Sequence, residues 1–400
     1  MTPVSASPPA LPRRDYVLIL FALAMGGFAI GIGEFSTMGL MTPIARGLQV
    51  SEPQVGHVIS AYALGVVVGA PVLAIVGARW RRRTLLLLLM GFYAAGNLAS
   101  ALAPSYPTML LCRFVAGLPH GAYFGVASLV AASISPPHQR ATAVGRVLMG
   151  LSIALLVGNP LATWLGQVLS WRYAYVSVAA IALLTVLAVA LLLPPDPREP
   201  RQRPLQELRA FNRPQVWLAL AIGAVGFSGM FCVFSYLAPT LTAVTGWPES
   251  RVPLAMVAFG IGGVLGSLVG GWLFDRIQFR AVAVLLAWSV LVLLAFPLAA
   301  HSPWAVFPAV VAVGTMGALA PALQTRLMDV AAGAQTLAAA SNHAAFNTAN
   351  ALGPWLGGMA ITAGLGWTST GYVGAATAFG GLLIYLWARR AERRSQAAGA

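Results

Sequence analysis

The chain has 400 residues, 58% of them hydrophobic and only 8% charged, with a mean hydropathy of +0.80. A soluble globular chain carries about 25% charged residues, so the composition excludes a soluble domain and describes a polytopic membrane protein. The formal net charge of +14 would suggest nucleic acid in a soluble protein, but all 24 basic residues are arginine and are distributed as membrane topology dictates, so no nucleic-acid partner is expected.

Residues 1–15 form a polar, proline-rich leader, expected to be disordered. The first hydrophobic run follows Arg13 and Arg14, lacks a small-residue cleavage site and exceeds a signal-peptide core, so it should remain as a membrane span. Apolar runs of about twenty residues, the length that crosses a bilayer, predict about twelve helices. They cover 16–41, 54–77, 84–103, 106–132, 141–165 and 173–193, then 215–240, 252–274, 281–300, 304–326, 337–361 and 371–388. The longest polar interruption, 194–214, separates an N-terminal bundle (16–193) from a C-terminal bundle (215–388), with a tail at 389–400. The expected fold is therefore an all-α integral membrane protein with twelve transmembrane helices in two six-helix bundles.

Arginines give the orientation. One side receives Arg13, Arg14, Arg79, Arg81, Arg82, Arg83, Arg140, Arg146, the linker arginines, Arg276, Arg280, Arg326 and those near the C-terminus, whereas the other receives Arg46, Arg172 and Arg251. The positive-inside rule then places both termini and the linker in the cytoplasm. The halves echo each other at a spacing of 197 residues, Gly65, Gly69 and Arg79 matching Gly262, Gly266 and Arg276. Such a repeat is how many secondary transporters build a site between two rocking bundles. Cys112 and Cys232 both fall within spans and suggest no disulfide framework.

The polar residues inside the spans are the functional candidates. Glu34 interrupts LILFALAMGGFAIGIGEFSTMGLM, and a charged side chain at such depth costs about 2.5–3.5 kcal/mol on insertion scales, so it marks an ion or solute pathway. Glu34 reads as a proton-handling residue; the alternative is a carboxyl kept neutral or paired for packing. Gly27, Gly31, Glu34, Met38 and Met41 share a helical face that points Glu34 into protein, with Met38 as adaptable cavity lining. In the fourth span Arg113, His120 and Phe124 share another face. Arg113 needs an acceptor, either Glu34, directly or through water, or backbone carbonyls of a broken neighbouring helix. His120 could relay a proton, its unperturbed pKa being near neutrality, or serve as a neutral hydrogen-bonding residue. Phe227 and Phe231 of the seventh span offer an apolar cavity wall or ordinary packing. Asn342, Asn347 and Asn350 of the eleventh either hold helices together or contact a polar solute. No metal-ligand spacing, phosphate loop or activated nucleophile is present in the sequence, so neither an enzyme nor a cofactor is expected.

GIGEFSTMGLMTPIARGL, YALGVVVGAPVLAIVGARWRRR, RFVAGLPHGAYFGVASLVAAS and GNPLATWLG together resemble the major facilitator superfamily. Within it they resemble the bacterial drug:proton antiporter branch that includes arabinose-efflux-permease-like, sugar-efflux and chloramphenicol-resistance exporters. The family's loop motif after the second span usually has an aspartate before its first arginine; this chain has Ala78 before Arg79, while the second copy, GGWLFDR, keeps Asp275 and Arg276. The resemblance implies that Arg79, Asp275 and Arg276 act in gating, and that the N-terminal half closes by other contacts. Gly158 and Pro160 correspond to the antiporters' fifth-span motif, with Asn159 as a departure. It further implies a monomeric, proton-driven exporter of a small uncharged or lipophilic solute, drug-like or sugar-like, in the bacterial inner membrane. An uptake symporter and a non-transporting membrane sensor are the alternatives.

Overall fold

The computed structural model describes residues 12–77, 80–136, 139–194, 213–331 and 335–398; Ala78, Arg79 and most of the 194–214 linker lie outside the described residues. Among the described residues eleven helices are long and apolar enough to cross a membrane. Gln335–Thr362 is equally long, and Asn342, His343, Asn347 and Asn350 dilute its apolar character. Counting it, twelve spans form two six-helix halves, so the first and last described residues fall on one face. Large apolar side chains such as Phe21, Leu102, Leu191, Leu268 and Leu298 stand exposed around the body, the arrangement expected where the surrounding solvent is lipid.

Spans that read as uninterrupted in sequence are broken in identifiable ways. The first, Arg13–Gly39, stops at Leu40 and resumes as the short helix Met41–Leu48. The fifth comprises Arg140–Ile153, a π-helical turn Ala154–Gly158, and Asn159–Val168. The seventh comprises Pro214–Ala221, a second π-helical turn Ile222–Gly226, Ser228–Ser235 and, after Tyr236, Leu237–Ala243. Each π-helical turn inserts an extra residue into the hydrogen-bond ladder; in the seventh span Ser228 Oγ donates to the Val225 carbonyl at 2.7 Å, within a stretch loosened by Gly223, Gly226 and Gly229. The last helix, Ser369–Ala398, runs well into the residues expected as a tail. Its extension is tied back by Arg326, whose Nη2 donates to Glu392 Oε1 at 2.9 Å and whose guanidinium lies 4.0 Å from the Phe279 ring centroid.

The 197-residue echo is physical. The second span, Glu52–Gly77, packs on the fourth, Tyr106–Ser133, so closely that a Cβ on Gly65 would collide with the Phe114 carbonyl and one on Gly117 with the Tyr62 carbonyl. In the other half a Cβ on Gly262 would meet the Val311 carbonyl, and one on Gly314 the Phe259 carbonyl. Every partner is displaced by the same number of residues. Small side chains let these backbones touch, which is how helices associate where lipid removes any hydrophobic drive.

The halves meet along two seams, the second span against the eleventh and the fifth against the eighth, Val252–Ile277. Ser60 Oγ donates to the Ala351 carbonyl at 2.7 Å in the first seam. Gly260 rests on the backbone of Leu155 and Leu156 in the second. On the face away from the termini, Arg46 Nη2 and Glu249 Oε1 form an ion pair at 2.5 Å, and Gln167 Nε2 donates to the Glu249 carbonyl at 2.9 Å.

Candidate functional site

Glu34 is 6% exposed. The first span brings it against the eleventh, where Asn350 Nδ2 donates to Glu34 Oε1 at 2.9 Å. These residues are 316 positions apart in sequence, and their bond is a polar link between the two halves. Asn350 suits either state of the carboxyl, because its nitrogen can donate to a carboxylate and its oxygen can accept from a carboxylic acid.

Arg113 is fully buried, and among the described residues it makes no ion pair with Glu34. Its Nη2 donates to the carbonyl of Gly33 at 2.6 Å, and its Nη1 to Asn97 Oδ1 at 3.3 Å. The acceptor is thus a backbone carbonyl, as one sequence alternative held, but it belongs to an unbroken stretch of the first span. The guanidinium carbon lies 4.2 Å from the centroid of the Tyr62 ring and 5.1 Å from that of Tyr175, a cation–π environment that offsets part of the desolvation cost. Arg113 therefore grips the residue next to Glu34.

His120 Nδ1 is 3.1 Å from the Tyr62 hydroxyl, which is 3.3 Å from that of Tyr93; Tyr93 in turn donates to the Ile30 carbonyl at 3.2 Å. A chain of exchangeable groups thus runs from the fourth span through the second and third to the first. Phe124 stacks on His343 of the eleventh span, with ring centroids 5.6 Å apart and planes 4° from parallel. Phe231 stacks on Phe35 at 6.5 Å, and Phe227 meets Phe346 edge-on at 4.6 Å. The aromatic side chains expected to wall a cavity thus pack against other rings, Phe124 and Phe231 across the junction of the halves and Phe227 within the C-terminal half. Met38 is fully buried on the first span, and Asn342 and Asn347 are buried on the eleventh.

The expected gating residues scatter. Gly158 ends the fifth-span π-helical turn against Ile32 and Phe28 of the first span, and Pro160 begins the helix that follows. Asp275 and Arg276 are exposed, and among the described residues neither forms an ion pair; Arg276 lies over its own helix's Trp272 at 4.4 Å. Sequence reasoning passed over Tyr62, Tyr93, Asn97, Tyr175, Phe35, His343 and Phe346. The available signal was polar: Asn97 and the tyrosines interrupt otherwise aliphatic runs, and their hydroxyls or amides must find partners inside the membrane.

A family model described as Major Facilitator Superfamily matches residues 23–333 and 229–400. The chain is 39% identical over 373 residues to the inner membrane transport protein YdhP of Escherichia coli (strain K12), covering 93% of this chain and 96% of that relative. It is 33% identical over 347 residues to the chloramphenicol resistance protein of Streptomyces lividans, covering 84% of this chain and 87% of the relative. Among solved structures, a bacterial homolog of the human lysosomal transporter Spinster, inward-facing and unoccupied, superposes with a TM-score of 0.79 at 19% identity, over 95% of this chain and 98% of that one. That last likeness is one of fold.

Proposed function

Since the chain belongs to the major facilitator superfamily and its relatives are transporters, not enzymes, we propose that it exports a small drug-like or sugar-like solute across the bacterial inner membrane in exchange for protons. The observation that carries the proposal is the Glu34–Asn350 hydrogen bond, in which a buried titratable group of one half holds a side chain of the other. As a carboxylate, Glu34 accepts from Asn350. Once protonated, Glu34 is uncharged and the bond loses its charge assistance, so the two halves are freer to reorient around it. Proton and solute then compete for the same junction, each binding the state the other leaves.

Arg113 acts as a positioning residue, fixing the Gly33 carbonyl and so the height of Glu34 in the membrane. His120, Tyr62 and Tyr93 form a hydrogen-bonded chain that ends on the Ile30 carbonyl and steadies the helices around Glu34, so the coupling rests on Glu34 itself. The membrane potential contributes about 2.3 kcal/mol per charge per 100 mV, enough to sustain a useful solute gradient. The arginine asymmetry assigns the termini to the cytoplasm, so the Arg46–Glu249 ion pair closes the periplasmic face and parts when solute leaves. Export is favoured over uptake by the relative named for chloramphenicol resistance. The unit is a monomer, with solute, proton and bilayer as its partners.

The test is flux in proteoliposomes of known orientation under an imposed pH gradient. Glu34→Gln, similar in size but unable to titrate, is expected to abolish pH-driven flux while leaving a folded protein. Undiminished active flux in that variant overturns the coupling. Counterflow in the same vesicles separates export from symport.

A further inference from the structure

Three side-chain oxygens on the eleventh span, Asn342 Oδ1, Asn347 Oδ1 and Asn350 Oδ1, have no hydrogen-bond partner, although their side chains are at most 5% exposed. A fourth, Asn159 Oδ1, lies beside the fifth-span π-helical turn and is fully buried. An unmatched buried polar atom costs about 1–3 kcal/mol, and here all four are of one kind, acceptors. The amide nitrogens are mostly engaged: Asn350 Nδ2 on Glu34, Asn347 Nδ2 on the His343 carbonyl at 3.0 Å, and Asn159 Nδ2 towards Met256 Sδ at 3.7 Å.

Nearby donors are partly engaged. The terminal nitrogens of Arg113 are held by Gly33 and Asn97 while its Nε is left without a partner, and the Tyr62 hydroxyl sits between Tyr93 and His120. What the junction offers a solute is therefore mainly carbonyl-type oxygens, beside the unpartnered hydroxyls of Ser36 and Ser235 on the first and seventh spans and the rings of Phe35, Phe124, Phe227, Phe231 and Phe346, which pack against neighbouring rings in this state. With Glu34 as the carboxylate, it and Arg113 oppose each other in sign at one end of the row, so an ion brought in from water finds no net compensating charge, and burying an uncompensated ion is the costliest transfer of all.

We propose that the transported solute is uncharged and carries at least two O–H or N–H donors beside a flat apolar face, the donors being read by Asn342, Asn347 and Asn350. This rests on the reading that solute passes between the halves at Glu34. Asn347 and Asn350 are one helical turn apart, about 5–6 Å between Cβ atoms, within reach of two donors on one ring. Asn342 lies about 12 Å from Asn350 along the axis, so a longer solute meets it next on its way along the span. A site built from unmet acceptors discriminates strongly against an analogue lacking donors, because the oxygens then stay unmet.

Equilibrium binding to the full chain in lipid nanodiscs, with no gradient and no glycosidic detergent, tests this with four probes on one frame. They are phenyl glucoside, its tetra-O-methyl ether, phenyl glucuronide as an anion and phenyl 6-amino-6-deoxyglucoside as a cation. Phenyl glucoside is expected to bind saturably, and each of the others at least roughly ten-fold more weakly. Asn347→Leu should weaken the glucoside about five-fold or more and leave the methyl ether within about two-fold. Equal or tighter binding of the ether, tighter binding of the cationic probe, or no saturable glucoside binding at millimolar concentration overturns the proposal. Should Asn347→Leu fail to fold, the glucoside and ether on the native chain decide alone. Because no gradient enters, glucoside binding that persists while flux ignores pH would sink the coupling and leave the recognition standing.

Discussion

The two halves share a helix frame and differ in what fills it. Gly65 and Gly117 fit against Phe114 and Tyr62 as Gly262 and Gly314 fit against Val311 and Phe259, residue for residue at the same displacement. Yet at that displacement Arg113 becomes Val310, Tyr62 becomes Phe259 and His120 becomes Gly317, and the seventh span, which repeats the first, has no carboxylate. The buried Glu34, Arg113 and His120 thus have no counterparts in the C-terminal half, which contributes rings from the seventh span and amides from the eleventh. Close helix packing and the buried Glu34, Arg113 and His120 set are separable layers of this fold, the first repeated in both halves and the second present in one.

That separation can be broken most severely by putting the N-terminal charge where the C-terminal frame has Leu294 and Phe259 in place of Asn97 and Tyr62. Val310→Arg should prevent assembly, because an uncompensated guanidinium replaces a fully packed valine; loss of monodisperse protein on size exclusion is the expected readout. Next, Gly65→Val and Gly262→Val should destabilise by similar amounts, at least about 2 kcal/mol each, since both force a side chain into backbone. Matched denaturation curves check this, and a loss confined to one variant would show that the frames are not equivalent. The mildest change is Tyr62→Phe, which gives the N-terminal half the residue its counterpart already has. It should cost about 1–2 kcal/mol through the lost Tyr93 and His120 contacts and leave pH-driven flux measurable, because Glu34 still titrates.

The spans, their division into halves and the depth of Glu34 could be read directly, since twenty-residue apolar runs and a lone acid within one are local signals. The Gly65/Gly262 echo was legible for the same reason. The partner of Glu34 was not, because Asn350 is brought to it by the meeting of two bundles and no local period encodes that meeting. Arg113 shows the limit of reasoning by charge: counting carboxylates pointed at Glu34, whereas a carbonyl one residue earlier supplies the hydrogen bond. The π-helical turns at Ala154–Gly158 and Ile222–Gly226 were also hidden, since one surplus residue scarcely alters an apolar stretch that faces lipid and protein alike.

The final helix reaches beyond what a crossing requires. Its 30 residues extend about 45 Å against a hydrocarbon thickness of about 30 Å, so a stiff outrigger some 15 Å long stands clear of the lipid. The Arg326–Glu392 ion pair fastens its base to the C-terminal half, which makes it a lever arm that magnifies any tilt of that half. A fluorophore near its tip, measured against one beside Arg140, would report rocking of the bundles as a change in distance, without touching any group that handles the cargo.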